Sequence, residues 1–201
     1  MTRARWGLWA PIVTIGLWAG MATIWTHGLS AFTNFSAARV AAGPLPRQAP
    51  PLEVVDQTGR RWDVAASAPE HRLVQVMYLR CPGVCTIAMS RLGQLTRELA
   101  DLMPDRLRAI SLSVDHDAPE ALHEMWLAHD AAPAWSLASL TAPDVGPTLE
   151  RLGVFMFRRR DGVINHGVDI MLLAPDGRVV RVFSPDDEVS TTAAAVRSAL
   201  R

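Results

Sequence analysis

The sequence predicts a layered α/β domain carried behind one N-terminal transmembrane helix. Three observations predict it: an uncharged apolar run near the start, β-branched segments alternating with helix-spaced ones, and a pair of Asp-Gly turns late in the chain. The apolar run is "WGLWAPIVTIGLWAGMATIWT", Trp6 to Thr26. About 20 apolar residues span a bilayer. Arg3 and Arg5 precede the run and the next full charge is Arg39. The positive-inside bias then sets the N-terminus in the cytoplasm and the rest outside. Trp6, Trp9 and Trp25 lie near its ends, where indoles favour the headgroup layer. A cleaved signal peptide has a shorter apolar core of about 7–15 residues, so an uncleaved anchor is expected. The reading is a single-pass protein of a bacterial inner membrane with its soluble domain in the periplasm. Residues 1–30 form the cytoplasmic end and anchor, 31–50 a Pro/Ala-rich tether and 51–201 the domain.

The elements follow in order. "SAARVAAGPLPRQAPP" (Ser36–Pro51) reads as a semi-extended spacer. "PLEVVDQTGRRWDV" predicts two short strands around Thr58-Gly59. "RLVQVMYL" (Arg72–Leu79) is an apolar run that fits a buried central strand. In Thr86–Met103, Ile87, Met89, Leu92, Leu95, Leu99 and Leu102 share one helical face, and Pro104 stops the helix. Leu107–Val114 is a second buried strand. "DAPE" (Asp117–Glu120) predicts a capping box with Pro119 in the first turn of a helix reaching His129. Ala142–Gly153 predicts a short helix ending at its glycine. Hairpins are expected around Asp161-Gly162 and Asp176-Gly177, then a last helix from Val189 to Leu200. Strands alternating with helices and closing on a hairpin suggest a thioredoxin-like α/β sandwich.

Bulk composition excludes some functions. The chain has 20 Arg, no Lys and 20 Asp plus Glu, for a formal net charge of zero. Nucleic-acid-binding domains carry a clustered basic excess, so no nucleic-acid partner is expected.

The chemistry is expected in "YLRCPGVC", which holds both cysteines, Cys81 and Cys85. A disulfide closing so small a ring is worth only about 2 kcal/mol before strain, and a domain of this size does not need it. Cys81 ends a strand and Cys85 enters a helix, so both sulfurs can face one side of the loop. The helix N-terminus and Arg80 favour thiolates. Two thiolates suit a soft ion such as Cu(I), and with an added imidazole can hold Cu(II). The CxxxC spacing differs from the CxxC of thioredoxin-like oxidoreductases.

"YLRCPGVCTIAMSRL", "LSVD" (Leu112–Asp115) and "VINHGVDIMLLAPDGRVVRVF" together resemble the SCO/SenC family. Its members are membrane-tethered, thioredoxin-fold, copper-binding proteins that help assemble cytochrome c oxidase. The resemblance covers roughly Pro51 to Leu200. It implies a copper site made of Cys81, Cys85 and a distant histidine, which matches His166. It also implies a supporting role for Asp115, a copper-site subunit of cytochrome c oxidase as acceptor, and a copper donor or thioredoxin-like reductant as a further partner. The sequence departs from the family pattern at Thr86, at Gly83 and in a shortened stretch after Asp115. The implied activity is that of a copper chaperone rather than a turnover enzyme. The alternatives are a thiol–disulfide oxidoreductase using Cys81 and Cys85 as a redox-active pair, and a peroxidase-like thiol enzyme. His116 is a candidate auxiliary ligand or a solvated residue. His27, His71, His123 and His129 read as structural or solvated, and Met77 and Met89 as core. Arg158, Arg159 and Arg160 form a basic tip that is either a wet turn or a docking patch.

Overall fold

The computed structural model describes residues 3–80, 84–129 and 131–201, with backbone alone at 3–8 and 84–88. Apolar periodicity builds most of it. In β4 (His71–Met77) and β5 (Leu107–Ser113), successive side chains enter opposite cores. Leu73 and Met77 of β4, with Leu107 and Ala109 of β5, face α3 (Val84–Glu98), α4 (Pro119–Ala128) and α6 (Val189–Ala199). Val74, Val76 and Tyr78, with Ile110, Leu112 and Val114, face α5 (Gly146–Leu152).

The sheet has eight strands in the order β1-β10-β9-β4-β5-β6-β2-β3. Its remaining members are β1 (Arg47–Gln48), β2 (Glu53–Asp56), β3 (Arg61–Asp63), β6 (Trp135–Leu140), β9 (Ile170–Leu173) and β10 (Arg178–Phe183). β4, β5 and β6 run parallel, and β9 adds to β4 antiparallel with Gln75 opposite Ile170. A separate hairpin pairs β7 (Met156–Arg158) with β8 (Ile164–His166). Helices on both faces of a mixed sheet make the expected sandwich.

Several expectations change. β6 was not expected. Its buried Trp135 donates from Nε1 to Ser111 Oγ at 3.1 Å, and Ser111 in turn donates to Met89 Sδ at 3.4 Å. The spacer contains a helix, α2 (Asn34–Ala41), closed by a capping box between Thr33 and Ser36. α4 has no side-chain cap, because Asp117 accepts from Ser113 Oγ instead and Ala118 takes the cap position. α3 ends at Glu98, five residues short of the expected Met103, and gives way to a tighter turn at Ala100–Leu102.

The N-terminal run forms α1 (Arg3–Trp25), 23 residues long. Among the described residues no helix is long and apolar enough to cross a membrane. The expected transmembrane helix is thus not established by the fold. Pro11, Thr14, Gly16, Gly20 and Thr23 dilute its apolar content, and side chains are described only from Trp9 onward.

Arg72 is buried, yet its guanidinium donates to the backbone carbonyls of Val64, Ala66, Ala174 and Pro175 rather than to a carboxylate. It ties the β3–β4 connection to the β9–β10 turn. Gly177 in that turn has φ +81, and a Cβ there would collide with the carbonyl oxygen of Ala65. Gly162 in the β7–β8 turn has φ +83 with nothing within 4 Å. Replacing Gly162 by Ala should therefore cost only the left-handed penalty of about 1–2 kcal/mol. Gly177→Ala should cost well beyond that, as the difference between the two denaturation midpoints will show.

Candidate metal centre

Three chain segments meet at Asp115. The residue follows β5, and its side chain is only 5% exposed. Arg80, from the turn after β4, donates from Nη2 to Asp115 Oδ2. Arg158, from β7, donates from Nη2 to Asp115 Oδ1 at 3.0 Å. Burial pushes the Asp115 carboxyl up, but hydrogen bonds from the two guanidiniums and their charges outweigh it and hold the group below the usual carboxylate range. Arg80 immediately precedes Cys81. Asp115 therefore ties Arg80, the residue before Cys81, to the hairpin that carries His166.

That hairpin is set by local sequence. Asp161 Oδ1 accepts from Val163 N at 3.2 Å, and Gly162 supplies the left-handed turn residue. Met156 then pairs with His166, and Arg158 with Ile164. Ile164 and His166 face inward while Phe157 is 57% exposed. After His166 the chain runs into β9. Gln75, buried in β4, donates from Nε2 to Val168 O at 3.0 Å. The β4–β9 register continued outward brings residues 166–168 past the end of β4, toward the stretch that leads to Cys81.

His166 itself is 7% exposed. Its Nδ1 lies 2.9 Å from the carbonyl oxygen of Gly167. A carbonyl only accepts, so Nδ1 carries the proton and Nε2 the lone pair. Burial drives its pKa below the ordinary histidine value, partly countered by the Gly167 carbonyl. A neutral imidazole held by its other nitrogen is the form that ligates metals.

The structure thus brings together Asp115, Arg80 and Arg158, and sets His166 on the same hairpin. Cys81 lies outside the described residues. Cys85 lies in the first turn of α3, where only backbone is described. Among the described residues no group of three His, Cys, Asp or Glu could hold a metal ion. His116 has φ 52, and its Nδ1 lies 3.1 Å from Leu140 O. His123 stacks on Trp126 at 6.0 Å. Met77 and Met89 are buried in the core, as expected. Sequence reasoning missed Gln75 and the role of Arg158. Gln75 could have been found, because a lone amide inside an apolar strand must find a buried partner. The Arg158–Asp115 contact had no local signal.

A model of the SCO1/SenC family matches residues 42–201. The chain belongs to the SCO1/SenC family. Its fold is that of solved family members. A SCO1/SenC family lipoprotein from Bacillus anthracis str. Ames aligns with TM-score 0.69 at 17% identity, covering 77% of this chain and 96% of that one. Copper-bound ScoI from Bradyrhizobium japonicum aligns with TM-score 0.63 at 22% identity, covering 76% and 99%. BsSco, a member of the Sco family of cytochrome c oxidase assembly proteins, aligns with TM-score 0.66 at 20% identity, covering 79% and 96%. No curated protein matches the chain. The thioredoxin-like reading is thereby upheld for the SCO1/SenC domain.

The Asp115 triad has a pH signature. A depressed carboxyl pKa contributes stability that is present above the unfolded value of about 3.9 and lost as pH falls through the folded value. Asp115→Asn should lower the denaturation midpoint at neutral pH. It should also flatten the loss of stability below about pH 4, measured by denaturant titration at stepped pH.

Proposed function

We propose that the chain is a membrane-tethered copper-binding assembly factor that delivers copper to, or matures, the copper site of cytochrome c oxidase. Family membership and the copper-bound Bradyrhizobium japonicum relative support this reading. The observation that carries it is His166: a buried, neutral imidazole held at Nδ1 by the Gly167 carbonyl, in the tautomer whose Nε2 carries the lone pair. In this reading Cys81 and Cys85 supply two thiolates and His166 the third donor to one copper ion, as Cu(I) or Cu(II). Two soft sulfurs and an imidazole fit both oxidation states. Asp115 supports the site by holding Arg80 and Arg158. Copper is the cargo, and it leaves by ligand exchange when the acceptor's donors displace His166 or one sulfur. The copper-site subunit of the oxidase is the acceptor.

α1 is the anchor in this proposal, with residues 31–50 linking it to the domain at 51–201. Its apolar residues are exposed on every side, including Ile12, Leu17, Trp18, Met21 and Ile24. A helix apolar all round needs an apolar solvent. The soluble domain then faces the periplasm.

Copper titration of the full chain in detergent tests the site. Stoichiometric binding is expected in the parent. Cys81→Ala, Cys85→Ala and His166→Ala should each lose at least about tenfold in affinity. A sulfur-to-Cu(II) charge-transfer band should accompany Cu(II) loading. Undiminished binding in all three variants overturns the site. Thiol–disulfide exchange that survives in His166→Ala, without stoichiometric copper in the parent, favours the reductase reading.

Membrane attachment is tested by alkaline extraction of membranes from expressing cells. The full chain should stay with the pellet, and replacing Ile12, Leu17 and Met21 by Asp should release it.

A further inference from the structure

Helix α2 lies before residue 42, outside the part of the chain that the family model matches. It is eight residues long and buries none of them fully. So short a helix is marginal in water on its own. Its order comes from docking, partly on α5 and Gly153 and partly on the segment around His166. Phe35 meets Phe155 edge-to-face with ring centroids 5.2 Å apart. A Cβ built on Gly167 would lie 3.8 Å from Phe35 Cδ1, so Phe35 rests over that glycine. Gly167 N donates to Phe155 O at 2.9 Å, which ties the two residues beneath Phe35 to each other. Arg39 Nε lies 3.7 Å from Asp169 Oδ2, three residues beyond His166. Past the helix end, Arg47 donates to Gly43 O and to Leu152 O, each at 3.0 Å, and pins the exit of α2 to the end of α5.

The Phe35 and Arg39 contacts flank Gly167 on either side in the chain, at Phe155, at Gly167 itself and at Asp169. The Gly167 carbonyl orients His166 through Nδ1. We propose that α2 is a positioning element for His166: Phe35 over Gly167 and Phe155, with Arg39 on Asp169, holds the Gly167 peptide in the orientation that keeps Nε2 as the donor. The link between anchor and domain is then part of the metal centre's support. Undocking α2 frees the Gly167 peptide to turn and lets the imidazole change tautomer and direction. Copper held by His166 is retained while α2 is docked and released more readily when it is not. This rests on the copper reading above, but its structural half does not need copper.

The test uses the full chain in detergent with Phe35→Ala, Phe35→Tyr and Arg39→Gln. Without metal, two readouts apply: amide hydrogen exchange over residues 154–169, and the His166 tautomer by imidazole ¹⁵N shifts. Phe35→Ala should speed exchange at Gly167 and mix the tautomers, while exchange in β4 and β5 stays as in the parent. With copper, Phe35→Ala should weaken binding about tenfold, as loss of outer support does. Arg39→Gln should weaken it less, and Phe35→Tyr, which keeps the ring, should restore parent behaviour. The proposal is overturned if Phe35→Ala matches the parent in exchange and tautomer. It is equally overturned if the metal-free changes occur but copper affinity does not move. If the parent binds no copper while the metal-free changes appear as expected, the copper reading fails and the positioning role of α2 stands.

Discussion

A single carboxylate decides how the site end of the molecule is assembled. Asp115 accepts from Arg80 on one oxygen and from Arg158 on the other. Exposed ion pairs contribute little one at a time. Here the carboxylate is nearly buried and the guanidiniums come from segments 35 and 43 residues away. A carboxylate that bridges two guanidiniums in this way fixes geometry even where its net energy is small. Arg80, which precedes Cys81 in the chain, and the hairpin that ends at His166 are both referred to the same point at the end of β5.

That point lies where α/β sheets usually place ligands, beyond the carboxyl ends of parallel strands. β4 leads out to the cysteine stretch and β5 leads out to Asp115. β9 then returns antiparallel beside β4, delivering the segment after His166 to Gln75. The two hydrophobic cores hold the strands rigidly from both faces.

Much of this was legible in the sequence, and the failures have physical reasons. β4 and β5 announced themselves as apolar runs because both faces of a parallel strand are buried. The Asp161-Gly162 and Asp176-Gly177 turns were readable because the left-handed residue of each demands glycine. β6 escaped because "WSLASL" carries two serines, half-buried Ser136 and buried Ser139, which look like loop composition. α2 escaped because its order is tertiary: Phe155 and Asp169 lie far along the chain from Phe35 and Arg39. The expected cap at Asp117 failed because Ser113, buried and needing a partner, claimed the carboxylate first. His166 was reached by resemblance; its buried environment and its Gly167 contact are tertiary facts that no spacing encodes.

The sheet order has a further consequence for self-association. Its two outermost strands are β1, two residues long, and β3, three residues long, and both present arginine. Unpaired backbone at a sheet margin invites another chain to add itself, and brevity and charge are what discourage it. With its long strands all interior, this sheet offers neighbours almost no ladder to extend.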